Sequence, residues 1–446
     1  MLRSTCFHAR SVFQKLNTQP QLKRPFSFTR NPKFPRTTNG PARSPHNATV
    51  AEAEHLSFAS KIGKPSARNQ ILFVLFGSCA AYTYASFTTD LQTHLLLKKI
   101  REQSVGFSLT SITNRELTRI QNTELVKKLR LQFAEWNKTI SDLPPLLRQQ
   151  LSLLYLTIFQ PYADASQGRR LCWKICLLNM GVWLMWKIRQ PMMMRNFAHN
   201  PLSGMSYTLL TSMFSHQGFL HLLLNCLALE SFGSAAYVYL NNSVSQEAPN
   251  KLESTSVYHW LAFYTSAGMF SSLVSHVVSV KFKYPRLIAQ LSSPAANAPK
   301  AADTWASAVS ASSASAKSST RSLFFSQPSS SAVASATSST ATAVSKAPLI
   351  PSSLGASGAV YACVTMTALA FPQAQVSLIF PPSYPIDIQT AVVGLVAFDM
   401  IGIMRGWKVI DHWAHLGGAA FGAAYYAYGP KIWAGLRRET GWDQAR

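Results

Sequence analysis

A serine and a histidine, placed in two uncharged segments of the sequence, are residue types that nucleophilic catalysis requires. Ser357 lies in Gly355-Ala-Ser-Gly358, and His415 follows it 58 residues later. A serine hydroxyl reacts when a base accepts its proton, and an imidazole titrates near neutral pH. The alternative interpretation is structural, because small residues also line close contacts between membrane helices. The pair predicts acyl transfer by a serine nucleophile in a hydrophobic environment.

Two features of the flanking residues favour a contact between this serine and this histidine. Ser357 stands at the start of a hydrophobic segment, where a helix N-terminus leaves backbone N–H groups free for a developing negative charge. Gly418 and Gly422 follow His415 and form a small-residue face that lets a second helix approach closely. His412 is the alternative base, but it lies nearer the helix end. We therefore expect His415 to lie against Ser357.

Donors for an oxyanion are predicted in a third hydrophobic segment. His221 and Asn225 lie one helical turn apart, and their side chains therefore share one helix face. With the backbone N–H of Ser357, they could stabilise an oxyanion by roughly 3 kcal/mol per donor. The alternative role for such polar residues is to hold the helix bundle together.

No acidic residue is obviously placed to orient His415, so the sequence predicts a Ser–His dyad without a third member. Asp399 is the one acid well inside a late hydrophobic segment. It is either that third group or a hydrogen-bond partner for threonine side chains or the backbone.

The composition indicates that much of the chain lies in lipid. Hydrophobic residues make up 47% and charged residues 13% of the 446 residues, whereas roughly 25% charged residues are usual in soluble domains. A helix needs about 20 mostly apolar residues to cross the hydrocarbon core of a bilayer. Seven candidate spans are found, at 71–89, 171–188, 219–240, 257–280, 354–371, 388–404 and 412–428. The fold class predicted is an all-α polytopic membrane protein with one leading span and a block of six.

The N-terminal residues have the composition of a mitochondrial transit peptide. Residues 1–51 contain nine Lys or Arg and no acid, together with Ser, Thr and Phe, as such peptides do. A basic arm for nucleic acid is the alternative. Because the basic residues are spaced out and membrane spans follow, no nucleic-acid partner is predicted.

Two stretches are predicted to lie outside the bundle. Residues 90–170 mix charges with helical periodicity, which indicates amphipathic helices on the solvent side. Residues 291–350 include 34 Ala or Ser among 60 residues, too few bulky apolar groups for a core, so a disordered insert is predicted there.

The order of these motifs resembles the rhomboid family of intramembrane serine proteases. The resemblance rests on Gly355-Ala-Ser-Gly-Ala-Val-Tyr361, on the spacing of His216, His221 and Asn225, and on the glycine-rich segment 406–422. It implies a six-helix rhomboid core, here with one extra N-terminal transmembrane helix. The domain layout is then a transit peptide, an N-terminal region, the core with its insert, and a C-terminal tail, at 1–51, 52–170, 171–430 and 431–446.

The resemblance also implies a role for each matched residue. Ser357 would be the nucleophile and His415 the general base and acid, with His221 and Asn225 as oxyanion donors. The supporting positions carried over from the family are the aromatic residue that stacks on the catalytic histidine, a histidine of the preceding loop and the first glycine of the serine motif: Tyr361, His216 and Gly355.

The leading span and the basic N-terminus are most similar to the mitochondrial branch of the family. The function implied is a serine endopeptidase of the mitochondrial inner membrane, which cleaves transmembrane or membrane-anchored substrates in the bilayer and influences mitochondrial shape, with no metal or cofactor. A catalytically silent relative that binds membrane clients is the first alternative, but such a protein should lack the serine or the histidine. A transporter is the second, and its internal repeats are not evident in the sequence.

Overall fold

The computed structural model describes residues 65–103, 112–291, 350–377 and 384–440. The predicted transit peptide, nearly all of the Ala/Ser-rich insert and the last six residues of the chain lie outside this part. The domain layout predicted from the sequence therefore stays a prediction, while the core can be described in detail.

The described chain is built almost entirely of helices. In chain order these are α1 Arg68–Gln103, α2 Asn114–Thr139, α3 Pro145–Asp164, α4 Gln167–Ile188, α5 Gln190–Asn196, α6 Thr208–Thr211, α7 Phe219–Ala228, α8 Ser234–Glu247, α9 Val257–Val278, α10 Tyr284–Leu291, α11 Ser357–Ala370, α12 Ile388–Arg405 and α13 His412–Thr440. The π-helical turns Leu229–Gly233 and Ser279–Lys283 join α7 to α8 and α9 to α10. Two short antiparallel strands, β1 Gln375–Val376 and β2 Ile386–Asp387, pair between α11 and α12.

Five helices of the described residues are long and apolar enough to cross a membrane. They are Arg68–Gln103, Gln167–Ile188, Phe219–Glu247, Val257–Ala289 and Ile388–Arg405. The apolar helix α11 is shorter, with 14 residues. A helix enclosed by other helices need not match the bilayer thickness, because protein rather than lipid surrounds it. The prediction of an all-α polytopic membrane protein is confirmed.

Two helices extend furthest beyond the spans predicted from the sequence. α1 was predicted to end at residue 89 but continues to Gln103, because Leu96 and Ile100 pack on Leu117 of α2. The last span was predicted to end at residue 428, whereas α13 continues to Thr440. Hydropathy indicates where a segment leaves the lipid, whereas contacts with other parts of the protein can extend the helix beyond that point.

Glycines bring α13 against α11 as the sequence predicted. A Cβ atom on Gly418 would lie 2.0 Å from the carbonyl oxygen of Gly358, and one on Gly422 would lie 2.3 Å from that of Ala362. Any side chain at either position would therefore push the two helices apart. This close contact sets the distance between the helix of Ser357 and the helix of His415.

Buried charges join α1 to the loop before α9 and to the end of α13. The guanidinium of Arg437 bonds to Asp90 and donates to Glu253 at 2.8 Å, and Lys251 lies 3.6 Å from Asp90. Burial raises the pKa of the Glu253 carboxyl, and the charge of Arg437 opposes that shift. Arg437 is only 1% exposed, so each charge of the cluster relies on its partners to offset the cost of burial. Through these ion pairs the cluster holds the N-terminal helix α1 on the core.

Replacing Arg437 with methionine is expected to lower the free energy of unfolding by about 3–5 kcal/mol, because two carboxylates then stay buried without their guanidinium. Thermal or denaturant unfolding of the full chain in detergent measures this loss. Arg438→Met is the matched control, since Arg438 is exposed, and we expect a change within about 0.5 kcal/mol. Equal losses in the two variants would contradict the role given to the cluster.

Candidate active site

The structure places Ser357 and His415 within hydrogen-bonding distance. The Oγ of Ser357 lies 2.9 Å from Nε2 of His415, although 58 residues separate them in the chain. Ser357 is the first residue of α11, and His415 lies one turn inside α13. An imidazole nitrogen at this distance can accept the hydroxyl proton, as nucleophilic attack by serine requires.

A third residue, Asp399, completes a line of hydrogen bonds behind the histidine. Its Oδ1 lies 3.1 Å from Nδ1 of His415, and its side chain is fully buried in α12. With Nδ1–H donating to this carboxylate, Nε2 is left to accept the proton of Ser357. The sequence placed no acid beside His415, whereas the structure does, and it favours the alternative in which Asp399 is the third group, because α12 turns its one acid towards α13.

The carboxylate of Asp399 is held from three sides. Nδ1 of His412 lies 2.5 Å from Oδ1, and the hydroxyl of Tyr361 donates to Oδ2 at 2.6 Å. The ring of Tyr361 also stacks on His415, with centroids 4.3 Å apart and planes 15° from parallel. His412 therefore serves the carboxylate rather than the serine, and Tyr361 fixes both the base and its acid.

The loop before the serine is shaped for a short backbone turn. Gly355 has φ +130°, a conformation that L side chains rarely adopt, and a Cβ there would lie 2.8 Å from Cε1 of His221. Its N–H donates to the carbonyl of Ser212 at 2.9 Å, and the N–H of Ala356 donates to Nε2 of His216 at 3.3 Å. The N–H of Ser357 follows these two groups along the backbone and lies in the first turn of α11, where it has no intrahelical acceptor.

The two residues predicted as oxyanion donors have different surroundings. The imidazole of His221 packs beside Gly355, close to the serine. The side-chain amide of Asn225 instead donates to the carbonyl of His221 at 2.8 Å, within its own helix. The structure thus brings His221 and the serine loop together, and Asn225 supports the helix that carries His221.

Asp411, which no sequence pattern singled out, connects the two halves of the site. Its Oδ2 accepts hydrogen bonds of 2.6 Å from the hydroxyls of Ser275 and Ser353, and its Oδ1 accepts the N–H of Ala414 at 3.3 Å. Ser353 also exchanges two backbone hydrogen bonds with His199. One carboxylate therefore ties the segment before Ser357 to the first turn of the helix that bears His415.

The described residues contain no cluster of three or more His, Cys, Asp or Glu side chains arranged to hold a metal ion. The histidines at the site are instead engaged with carboxylates, serine and one another. The arrangement is that of a serine nucleophile with an oriented base.

Comparison with known proteins decides the family of this chain. Residues 203–329 and 322–431 match the Rhomboid domain, and together they span just over half of the sequence.

The chain belongs to the rhomboid family.

This rhomboid is similar to curated mitochondrial relatives. It is 27% identical over 272 residues to the presenilin-associated rhomboid-like proteins of Bos taurus and Homo sapiens, covering 60% of this chain and 51% of each relative. It is 24% identical over 288 residues to protein A of that name in Danio rerio, covering 64% of this chain and 54% of the relative. The chain thus spans about half the length of the relatives it matches, and no solved structure matched it. These relatives, with the apolar helices, support a mitochondrial multi-pass membrane protein.

Two histidines of the rhomboid core are held neutral just outside its membrane-spanning helices. Burial lowers the pKa of His199 to about 3 and that of His216 to about 4, and the neighbouring histidines add to the shift. An unfolded chain protonates such rings below about pH 6.5. The stability they support is therefore complete above that pH and is lost as the pH falls from about 6.5 towards the folded pKa values.

We expect the free energy of unfolding to fall with acidification below pH 6.5, by roughly 1.4 kcal/mol per pH unit for each of these histidines. His216→Gln should remove one histidine's share of this slope, while the glutamine oxygen still accepts the N–H of Ala356. Unfolding of the full chain between pH 7.5 and 5 measures the slope. A slope unaffected by His216→Gln would contradict the assignment.

Proposed function

We propose that this rhomboid is an intramembrane serine endopeptidase of the mitochondrial inner membrane. The observation that carries the proposal is the continuous line from Ser357 Oγ through the His415 ring to Asp399 Oδ1, with distances of 2.9 and 3.1 Å. The order nucleophile, base and buried carboxylate is the arrangement that makes a serine hydroxyl reactive towards carbonyl carbon.

The proposed reaction is hydrolysis of a peptide bond through an acyl-enzyme. His415 Nε2 takes the proton as Ser357 Oγ attacks the carbonyl carbon, and the imidazolium then gives that proton to the departing amine. A water molecule, deprotonated by the same nitrogen, then attacks the ester carbonyl carbon, and the imidazolium returns that proton to Ser357 Oγ as the carboxylate product leaves. Asp399 stabilises the imidazolium in both halves of the reaction.

The oxyanion in this mechanism is stabilised at the start of α11. The backbone N–H of Ser357 is free of helix hydrogen bonds, and His221 lies beside the preceding glycine. Donors fixed before the reaction stabilise the developing charge without reorganising at the moment of attack. Asn225 acts in this scheme through His221, whose carbonyl it bonds.

The substrate class proposed is a transmembrane or membrane-anchored protein. Ser357 begins a helix enclosed by α9 and α13 within an apolar bundle, so the peptide bond to be cut must reach the site from a membrane segment or its edge. The mitochondrial relatives and the basic N-terminal residues support an inner-membrane location, with protein processing and control of organelle shape as its role. A silent client-binding protein is the alternative, and the Ser357–His415 hydrogen bond argues against it.

A fluorophosphonate probe tests whether Ser357 is an activated nucleophile. We expect the purified full chain to carry the probe on Ser357, located by peptide mass spectrometry, and His415→Ala to lose at least about 90% of the labelling because no base then takes the proton. His94→Ala is the matched control at an exposed histidine and should label fully. An unlabelled wild type, or equal labelling of His415→Ala, would return the chain to the client-binding alternative.

A further inference from the structure

A basic cleft lies between α2 and the end of α8, outside the candidate active site. It encloses about 860 Å³ and lies at the opposite end of the continuous helix α7–α8 from His221. Nearly all of its lining residues are polar or basic, and those that the cleft owes its charge and donors to are Arg115, Thr118, Arg119, Asn122, Arg130 and Ser245. Three arginines and no carboxylate are among them, which gives the cleft a strongly positive lining.

The arginines of the cleft are not neutralised by neighbouring acids. In the described part of the chain, the guanidinium groups of Arg115, Arg119 and Arg130 make no hydrogen bond or ion pair. The two acids of α2 nearest to them are already engaged: Glu116 caps its own helix through Thr113, and Glu124 pairs with Lys99 of α1 at 2.6 Å. The positive charge of the cleft is therefore available to a ligand.

Hydrogen bonds tie the first half of α2, which carries most of the cleft's lining residues on this helix, to the core. Asn114 accepts the N–H of Glu253 at 2.8 Å and its amide nitrogen lies 3.4 Å from Ser245. Further along, Asn122 accepts from the buried Arg170 of α4 at 2.5 Å. The lining residues recur every three or four positions from 115 to 130, so they share the face of α2 that is turned to α8.

The cleft lies at one end of the bundle of apolar helices. α2 contacts the start of α4, the end of α8 and the loop before α9, which are the ends of three membrane-spanning segments. It therefore lies across one end of the bundle, where the polar headgroups of a bilayer begin. Phosphate groups are the anions most concentrated at this depth.

We infer that this cleft binds a phosphate-bearing anion, either the headgroup of an anionic phospholipid or a soluble phosphate. Guanidinium groups bind phosphate oxygens through paired, charge-assisted hydrogen bonds. The amides and hydroxyls of the asparagines, threonines and Ser245 add neutral donors around them. This site is separate from the proposed peptidase chemistry, so each stands or fails without the other.

Native mass spectrometry of the purified full chain tests the lipid arm of this inference. With phosphatidylglycerol we expect retained lipid adducts, and with phosphatidylcholine weaker ones. Arg115→Gln, Arg119→Gln and Arg130→Gln together should lower the affinity for phosphatidylglycerol at least about tenfold, since three charge-assisted contacts are lost. The matched control is Lys127→Gln, Lys128→Gln and Lys138→Gln, which removes the same charge from exposed positions of α2 outside the cleft.

Titration calorimetry with pyrophosphate provides the soluble arm. If only pyrophosphate binding depends on the three arginines, the cleft is a site for soluble phosphate. If lipid binding depends on them, the cleft is a headgroup site. Both results support phosphate recognition. Two results overturn the inference. Either the arginine and lysine triple variants lose the same affinity in both experiments, or the arginine variant binds both probes as tightly as the wild type does. Matching unfolding transitions of the two triple variants show that a loss is not a loss of fold.

Discussion

Ser357→Ala is expected to lower the turnover of a transmembrane substrate by roughly 10⁶-fold, because the proposed acyl-enzyme cannot form without the hydroxyl. The chain should remain folded, since among the described residues the serine hydroxyl is hydrogen-bonded only to His415. Single-turnover cleavage in proteoliposomes, with product quantified by mass spectrometry, measures the rate. Ser352→Ala is the matched control, at an exposed serine five residues earlier, and should retain full turnover.

The same assay separates a catalytic unit from two independent contributions. When two residues act in the same step, removing the second costs no further rate once the first is gone. The double variant Ser357→Ala, His415→Ala should therefore be no slower than Ser357→Ala alone. A further large loss in the double variant would show that His415 acts elsewhere. Residual turnover near that of the wild type in Ser357→Ala would remove the serine from the mechanism.

Asp399→Asn is expected to lower kcat by about 10²- to 10⁴-fold with a smaller change in KM. An asparagine keeps the shape of the buried side chain, but it can turn its amide N–H₂ towards His415 Nδ1. The proton of the ring then moves to Nε2, which can no longer accept the hydroxyl proton of Ser357. Steady-state kinetics across pH in proteoliposomes gives kcat and KM separately.

The exposed acid directly before the same helix provides the control for this variant. Asp387→Asn removes the same charge from the last residue of β2, an exposed position directly before α12, and we expect kcat within about twofold of the wild type, as is usual for surface changes. If Asp399→Asn also keeps kcat within twofold, the dyad predicted from the sequence is sufficient, and Asp399 is only a structural partner of His412 and Tyr361.

The pairing of serine and histidine could be predicted because local sequence encodes it. Glycine spacing at Gly418 and Gly422 allows one helix to approach another, and a serine at a helix start stands beside free N–H groups. Both features depend on nearest neighbours along the chain. The close contact of α13 with α11 confirms the first of them.

The acids of the site could not be predicted in the same way. Asp399 and His415 lie on two helices joined by a short loop, and the rotation of α12 decides whether the carboxylate faces α13 or another neighbour. Asp411 looks from the sequence like an ordinary polar residue of that loop, and only folding brings Ser275 and Ser353 to it. Packing between distant segments sets these contacts, and hydropathy and motif spacing do not contain that information.

Helix lengths show the same limit. The sequence marks where an apolar run ends, but α1 continues through Asp90 because Arg437 and Lys251, distant along the chain, neutralise its charge. In the sequence alone, Asp90 looks like the end of a membrane span, because its basic partners cannot be identified there.

The most direct test of the account is cleavage of a transmembrane substrate by the purified full chain in proteoliposomes, with the fragments identified by mass spectrometry. We expect one or more cuts in or beside the transmembrane segment, made by the wild type and lost in Ser357→Ala. Two results would contradict the proposed function. One is a wild-type chain that carries the fluorophosphonate probe on Ser357 and unfolds normally but leaves the substrate intact; the other is equal cleavage by Ser357→Ala.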